Sequence, residues 1–252
     1  MQRGLRDKAK TGEAIREAAA SLFFEHGYEA TSLRSVAAAV GIQVGSLYNH
    51  INGKDELLTE IMVTVMDELE ASVHTSVAEA GDSAVARLKA GLDSHIRYHA
   101  QHASEVFVGN SELRSLKDAD RKAVLSRRRQ YELFIRGLVE AAAEEVGADL
   151  LNAKLQTYAV LALGMHVSSW YRPRDGMPLE QVVDVYTRMS MRQIGIPIRP
   201  DATSSAEGPG RRQQHQQTPT GTSPEFSALR QVSHQLGERG PCAGDGGRER
   251  IG

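Results

Sequence analysis

Apolar side chains recur at helical spacing from Thr11 onward. The first stripe runs from Ile15 to Phe23 and is interrupted at Gly27, which is typical of a helix that ends at a glycine. Two shorter stripes follow, and a long apolar-periodic run begins at Lys54. The pattern therefore predicts four helices, over 11–26, 33–40, 47–51 and 54 to about 80.

Helical spacing continues beyond Gly81. Asp118 and Asp149 are suitable N-terminal caps for two of the helices in this part. Over 158–167 nearly every position is apolar or small, which indicates burial on more than one face, as at a helical subunit interface. A last amphipathic stripe covers 179–189. Because no strand-like alternation and no internal repeat is present, the predicted fold is all-α.

The composition changes near Arg199. From there to the end the chain is rich in Gly, Pro, Ser, Thr, Gln and Arg, and it has few large apolar side chains. Such a segment cannot offset the entropy cost of becoming ordered, so we expect a disordered C-terminal tail.

Charge and cysteine content restrict the classes of partner and compartment. The net charge is -2 over 252 residues, so no global basic field attracts nucleic acid, and any DNA contact must come from a local surface. The single cysteine, Cys242, excludes an intrachain disulfide and a cysteine-rich zinc site. No apolar run approaches the roughly 18 residues that span a bilayer. We expect a cytoplasmic protein that is neither exported nor embedded in a membrane.

The two short helices and their glycine turn have the spacing of a helix-turn-helix. In that motif one helix crosses the DNA backbone and the next enters the major groove. The turn here is Gly41-Ile42, and the small residues Gly45 and Ser46 let the following backbone approach base edges closely. Leu47 is expected to point inward and lock this recognition helix against the preceding one. The side chains expected to project outward are those of Gln43, Val44, Ser46, Tyr48 and His50.

An ordered series of motifs fills residues 11–62. It comprises Ile15-Arg16-Glu17-Ala18-Ala19, Leu22-Phe23, Gly27-Tyr28, Thr31-Ser32, Val36-Ala37, Gly41-Ile42, Gly45-Ser46-Leu47-Tyr48 and Lys54-Asp55-Glu56-Leu57-Leu58. The series resembles the N-terminal pattern of the tetracycline-repressor (TetR) family of transcriptional regulators, and several correctly spaced elements are far more specific than a lone helix-turn-helix. One departure is Ile51, where the family usually has an aromatic residue. Since this is a core position, the departure concerns packing and not DNA reading.

The resemblance implies a set of DNA contacts on the second and third helices. Arg34 and residues 43–46 would read or approach base edges, while hydroxyl, phenol, imidazole and ammonium groups nearby would donate to phosphates and fix the register. Thr31, Tyr48, His50 and Lys54 carry those groups. The full expected set is Thr31, Ser32, Arg34, Gln43, Val44, Gly45, Ser46, Tyr48, Asn49, His50 and Lys54.

Plainer interpretations of some of these residues stay open. One alternative is that Tyr48 and His50 only pack under the fourth helix. Another is that Lys54 is an ordinary solvated lysine. The basic residues within 1–10 are either a flexible arm that seeks phosphates or a charged end with no such role.

By the same resemblance, the remaining helices form a ligand-binding and dimerisation domain whose last two helices pair with those of a second subunit. The apolar faces over 158–167 and 179–189 favour this independently, because a monomer could not easily hide them. A symmetric homodimer would offer two recognition helices, about 34 Å apart, to a palindromic double-stranded DNA operator. The expected organisation is a flexible basic arm over 1–10, a helix-turn-helix domain over 11–56, a helical effector-binding and dimerisation domain over 57–196 and a disordered tail over 197–252.

Three further segments, 107–116, 127–131 and 170–173, resemble a subgroup of the family tied to lipid or steroid catabolism, whose members respond to acyl-CoA thioesters. A small hydrophobic effector of this kind suits an elongated apolar pocket with cationic groups at its mouth, because CoA carries phosphates and its acyl end is apolar. The expected pocket residues are His99, Phe107, Asn110, Arg114, Arg128, Tyr131, His166 and Trp170.

These residues also have simpler interpretations. Arg121 and the run 127–129 fit a solvated helix face. Trp170 is equally suited to anchoring a dimer, and His166 to being a satisfied core histidine. His95, His99 and His102 recur at helical spacing, but no carboxylate lies between them, so pocket lining or a partly buried polar face is favoured over a metal site. No metal and no cofactor are expected.

Two rival functions belong to other classes. A helical enzyme or lipid carrier is disfavoured because the chain has no supported nucleophile and base, no Glu-x-x-His pattern and no glycine-rich phosphate loop. A helix-turn-helix protein that binds DNA constitutively, without a ligand, is the other. The sequence favours a ligand-responsive DNA-binding regulator, a repressor, over both.

Overall fold

The structure, a computed structural model, describes residues 2–196, and within them it contains α-helices and 3₁₀ turns but no strand. The N-terminal helices are α1 (Gln2–His26), α2 (Leu33–Val40), α3 (Val44–Leu47) and α4 (Lys54–Glu79). The following helices are α5 (Ala84–Gln101), α6 (Ala103–Ser111), α7 (Asp118–Val146), α8 (Ala153–Trp170) and α9 (Leu179–Gln193). The all-α prediction is confirmed for this part of the chain, and the predicted tail over 197–252 lies outside it.

The first helix starts earlier than the hydrophobic pattern predicts. It begins at Gln2, so the segment 1–10 is helical from its second residue onward and not a flexible arm. Residues 8–10 are exposed. An exposed helical turn carries no apolar stripe that would reveal it, and Lys, Arg and Ala are all good helix formers.

Two helices are capped by residues other than those predicted. The N-cap of α7 is Lys117, and Asp118 is instead the first residue of the helix. A carboxylate is stabilising there, because it lies near the positive end of the helix dipole. The N-cap of α8 is Asn152 and not Asp149, because Oδ1 of Asn152 accepts the backbone N–H of Leu155 at 2.9 Å.

Local contacts define both ends of α2 and the start of the turn that leads to α3. At the start of α2, the Ser32 hydroxyl accepts the backbone N–H of Ser35 at 3.1 Å, and the Ser35 hydroxyl accepts the backbone N–H of Ser32 at 3.2 Å. At the end of α2, Gly41 has φ 74°, a left-handed conformation that costs glycine little free energy. The chain therefore reverses immediately after α2.

One hydrophobic cluster joins the N-terminal helices to the rest of the molecule. Leu47 of α3 and Ile51 are buried in it, as expected from the sequence. It also contains Val108 of α6 and Val124 of α7, which lie far along the chain. The division between 11–56 and 57–196 is therefore not a gap between separate cores, and it stays a prediction. Two further clusters lie among the helices from α4 to α9.

None of the helices within 2–196 is both long enough and apolar enough to cross a membrane.

Candidate DNA-binding surface and ligand pocket

The short helix α3 lies at the surface and is fixed there from one side. Leu47 is fully buried, and Val44 packs partly against the same core. The backbone N–H groups of Asn49 and His50 bond to the carbonyls of Ser46 and Leu47, so the helix continues as a tight turn. The exposed members of the predicted set around α3 are Gln43, Gly45, Ser46, Tyr48 and Asn49. This arrangement offers a compact polar surface to a partner.

Tyr48 and His50 have different surroundings. The Tyr48 side chain is 54 % exposed, and its hydroxyl has no hydrogen-bond partner within 2–196, so it does not pack under α4. His50 is half-buried beside α1, where a Cβ added at Gly12 would lie 4.0 Å from its Nδ1 atom. On α2, Ser32 and Arg34 are exposed. Tyr48 and Arg34 are therefore exposed side chains of this surface that can reach a ligand.

Thr31 is buried and has a structural role, so its prediction as a phosphate donor is corrected. It is 4 % exposed, and its Oγ1 atom lies 2.9 Å from the carbonyl oxygen of Gly27 and 3.1 Å from that of Leu22. A hydroxyl has one proton, and these carbonyls accept it. The side chain therefore fastens the end of α1 to the start of α2.

Lys54 is half-buried, and its side chain is also bonded to backbone carbonyls. Its ammonium lies 2.9 Å from the carbonyl oxygen of Tyr28 and 3.3 Å from those of Glu29 and Thr31. It also lies 4.3 Å from the centroid of the Tyr28 ring. All three ammonium protons have acceptors, so Lys54 is neither a free phosphate donor nor an ordinary solvated lysine.

A polar chain next to Lys54 reaches from the α1–α2 loop to α7. The Tyr28 hydroxyl donates to Oδ1 of Asp55 at 2.7 Å, and Nζ of Lys117 lies 3.2 Å from Oδ2. Burial, together with the bond to Asp55, raises the pKa of Tyr28. The bonds from Tyr28 and Lys117 lower the pKa of the Asp55 carboxyl. These contacts fix the start of α4 against the loop before α2.

A cavity of about 260 Å³ lies between α4, α5, α6, α7 and α8. Most of its wall is apolar, as in sites for small hydrophobic molecules. The apolar lining is Met62, Val65, Met66, Leu69, Val106, Leu161, Ala162 and Met165. The polar groups at its wall are His95, His99, Asn110, Arg128, Tyr131 and Tyr158.

The two buried histidines of the pocket are neutral. Burial lowers the pKa of His99 to about 4 and that of His95 well below its ordinary value. Nε2 of His95 lies 3.2 Å from the carbonyl oxygen of Leu161, which can only accept, and Nδ1 lies 2.8 Å from the Tyr131 hydroxyl. The network therefore assigns the His95 proton to Nε2 and makes Tyr131 the donor to Nδ1.

The close approach of α8 to α5 depends on Gly164. A Cβ atom at this position would lie 2.4 Å from Cδ2 of His95 and 2.8 Å from its Nε2 atom. No side chain larger than hydrogen fits there unless His95 moves. Gly164 therefore permits the bond between His95 and Leu161.

Arg128 differs from the arginines around it. Arg127 forms an ion pair with Asp67, and Arg121 pairs with Asp118 at 2.6 Å, so the simple reading of a solvated face holds for both. Arg128 instead lines the pocket, donates to the carbonyl of Gly109 at 2.7 Å, and has no carboxylate partner in the described structure. Burial lowers its pKa. An unpaired cation in an apolar wall is suited to bind an anion or a polarised carbonyl.

The structure brings together only half of the predicted pocket. His99, Asn110, Arg128 and Tyr131 line it. Phe107 does not, because it points from α6 to α1, where its ring meets Phe24 edge-on at 5.0 Å. Arg114 lies exposed on a 3₁₀ turn.

His166 and Trp170 also lie outside the pocket, and both predictions are wrong for one reason. The pocket stripe of α8 is Tyr158, Leu161, Ala162 and Met165, and a step of one residue turns a helix by about 100°. His166 is exposed and contacts Ser169, while Trp170 lies 5.8 Å from the Tyr186 ring.

The sequence did contain a signal for the residues that were missed. Met62, Val65, Met66 and Leu69 follow the helical spacing of one face of α4, and His95 lies one turn before His99. His102 is separate from them, stacked on Tyr98 at 4.2 Å. Among the residues described, no group of His, Cys, Asp or Glu has the geometry of a metal site.

An exposed apolar surface covers α8, α9 and the preceding loop. Leu151 is 92 % exposed, and Leu155 is 62 % exposed. Tyr158, Met165, Trp170, Val185 and Met189 are also large, apolar and exposed. Surfaces of this kind mark interfaces.

Comparison with known proteins agrees with this geometry. Residues 15–61 match the family model described as bacterial regulatory proteins of the tetR family, and residues 81–194 match that of the tetracyclin repressor-like C-terminal domain. Among curated proteins, the HTH-type transcriptional repressor KstR2 of Rhodococcus jostii is 27 % identical over 71 % of this chain and 88 % of its own length.

Two solved structures are similar over most of the described chain. The ketosteroid transcriptional regulator KstR2 of Mycobacterium tuberculosis is 25 % identical, with a TM-score of 0.65 over 73 % of this chain and 94 % of that one. AibR in complex with isovaleryl coenzyme A and operator DNA is 27 % identical, with a TM-score of 0.63 over 71 % of this chain and 97 % of that one.

Proposed function

Since the chain belongs to the TetR family of bacterial transcriptional regulators, we propose that it is a repressor that a small hydrophobic effector releases from a palindromic operator. Its relatives are transcriptional repressors, so the chain is a DNA-binding regulator and not an enzyme. Our proposal concerns the palindromic operator, the class of effector, the dimer and the switch.

The proposed DNA surface is centred on α3. Arg34 and residues 43–46 approach base edges, and Ser32, Tyr48, Asn49 and His50 contact the backbone or flank it. The exposure of Gln43, Ser46 and Tyr48, and the small size of Gly45, support this assignment. Thr31 and Lys54 position the surface through their bonds to backbone carbonyls and do not bind phosphate themselves.

We propose a homodimer formed through α8 and α9. The exposed apolar side chains from Leu151 to Met189 support it, since such an area is unfavourable in contact with water. Trp170, whose ring centroid lies 5.8 Å from that of Tyr186, would anchor this interface and not the pocket. A two-fold dimer explains why a palindromic operator is expected.

The proposed effector is an acyl-CoA thioester. The apolar wall suits an acyl group, and the unpaired Arg128 suits the thioester carbonyl or a phosphate. AibR, a similar protein, is described with isovaleryl coenzyme A, and the similarity to a ketosteroid regulator favours lipid or steroid metabolism as the setting.

One observation carries the proposed switch. Met62 of α4 belongs both to the core that supports α3 and to the pocket wall, and on α6 Val108 belongs to that core while Gly109 lines the pocket. An effector that fills the pocket therefore acts on the two helices that support the DNA-binding surface. Release requires that it bind the arrangement unsuited to DNA more tightly, by typically about 1–3 kcal/mol.

The test begins with genome-wide footprinting by the purified protein, which supplies the operator. Fluorescence anisotropy then measures operator affinity with and without acyl-CoA thioesters of increasing size. We expect salt-sensitive binding to a palindrome and its loss with one class of thioester. Operator affinity that no thioester, free acid or drug alters would favour a constitutive DNA binder, and absence of any DNA binding would overturn the proposal.

A further inference from the structure

The hydrogen bonds that the polar groups on one wall of the pocket already form restrict which ligand groups can bind there. His99 lies one helical turn after His95, and its Nδ1 atom is 2.8 Å from the His95 carbonyl oxygen. A carbonyl only accepts, so Nδ1 of His99 carries the proton. With burial lowering the pKa of His99 to about 4, the ring is neutral at physiological pH and Nε2 keeps a lone pair.

Nε2 of His99 has no hydrogen-bond partner in the described structure, although the side chain is almost completely buried and lines the pocket. Nε2 faces the pocket space, where water can satisfy it in the free protein, and a ligand that displaces this water costs free energy unless it offers a donor in its place. The atom is therefore a binding group without a protein partner.

The hydroxyl of Tyr131, which lines the same pocket, also presents an acceptor. Because Nε2 of His95 donates to the Leu161 carbonyl, Nδ1 of His95 accepts the proton of Tyr131 at 2.8 Å. The Tyr131 oxygen can then only accept from a ligand. His99 and Tyr131 together present acceptors, and a ligand carbonyl placed against them would meet lone pairs.

We infer that the effector carries a hydroxyl group, or an equivalent hydrogen-bond donor, on its hydrophobic part, and that Nε2 of His99 receives this donor in the pocket that Tyr131 also lines. The inference rests on the proposed function only in taking the cavity to be the effector site. Arg128 supplies donors elsewhere on the wall, so it does not replace this contact. A keto or unsubstituted analogue of the same skeleton leaves Nε2 unsatisfied and binds more weakly.

The test uses a pair of probes that lack CoA, 2-decalol and 2-decalone, which share one bicyclic carbon skeleton. Isothermal titration calorimetry measures the Kd of each for the wild-type protein. We expect the alcohol to bind at least about tenfold more tightly than the ketone, as for a site whose buried acceptor is left unpaired. In His99→Phe the preference disappears, and in the matched control His102→Phe, whose ring lies against Tyr98, it persists.

A second measurement does not depend on the variant folding. In protein labelled with ¹⁵N-histidine, the Nε2 resonance of His99 should have the position of an unprotonated imidazole nitrogen, and it should shift on addition of 2-decalol but not of 2-decalone. A protonated Nε2, equal affinity for the two probes, or no saturable binding of the alcohol would overturn the inference. Because neither probe contains CoA, these outcomes are separate from failure of acyl-CoA thioesters to release DNA.

Discussion

The hydroxyl of Tyr131 on α7 lies 2.8 Å from Nδ1 of His95 on α5, and the opposite nitrogen of that ring lies 3.2 Å from the Leu161 carbonyl of α8. One neutral imidazole therefore joins three helices of the pocket. The arrangement is possible only because α8 has no side chain at Gly164, and this gives the first prediction.

Gly164→Ala should destabilise the protein by about 1–3 kcal/mol, since its Cβ would overlap the His95 ring. Urea denaturation measures the change. Gly137→Ala is the matched control, because a Cβ there meets nothing within 4 Å on the exposed side of α7, and the control should be neutral or stabilised by up to about 1 kcal/mol. If the two variants were equally stable, the close contact between α8 and α5 at Gly164 would not matter for stability.

Stability should fall as the pH falls from 7 to 5. The pKa of His99 is about 4 in the folded protein and 6.5 ordinarily, so the unfolded chain takes up the proton first and acidification favours unfolding. The contribution of His99 is about 2 kcal/mol over this interval. His99→Phe should show a correspondingly smaller loss in urea denaturation at the two pH values. An unchanged pH dependence in this variant would contradict the burial of a neutral His99.

Lys54→Met should destabilise the protein by about 1–3 kcal/mol, because it removes an ammonium that donates to three carbonyls of the α1–α2 loop. Lys122→Met, at an exposed position on α7, is the control and should change stability by less than about 0.5 kcal/mol. Thermal unfolding compares the two. If Lys54→Met were as stable as wild type and only DNA binding suffered, the lysine would be a phosphate contact after all.

Tyr48→Phe should weaken operator binding by about fivefold without altering stability, because it removes only an exposed hydroxyl that has no partner within residues 2–196. Fluorescence anisotropy on the footprinted operator measures the affinity. Ser126→Ala, at an exposed position on α7, removes a hydroxyl away from α3 and should leave the operator affinity unchanged. Identical affinities for both variants would remove Tyr48 from the DNA surface.

Hydrophobic spacing predicted most of the helices because each of them buries one face. Ile15, Leu47 and Val36 are buried where the stripes place them. The same spacing could not reveal residues 2–10 of α1, which extend the helix beyond its apolar stripe. The boundaries that depend on side-chain caps, such as Asn152, were less predictable because a neighbouring Asp149 has the same chemistry.

The pocket was only partly predictable for a different reason. Residue type suggested aromatic and charged candidates, whereas the pocket is defined by which face of each helix turns inward. On α6 that face carries Val106 and Gly109, so the intervening Phe107 turns to α1. Residue type also could not distinguish a free ammonium from that of Lys54, whose acceptors are backbone carbonyls more than twenty residues away along the chain. Tertiary contacts decide both cases.

The most direct test of the account compares operator release by acyl-CoA thioesters, from isovaleryl-CoA upward in size, for wild type and Arg128→Met. With an active thioester, the operator affinity of wild type should fall at least about fivefold, and the variant should need at least about tenfold more thioester for the same release while its affinity in the absence of ligand is unchanged. Equal response of the two proteins, or an operator affinity that stays constant across the series, would contradict control of DNA binding by this pocket.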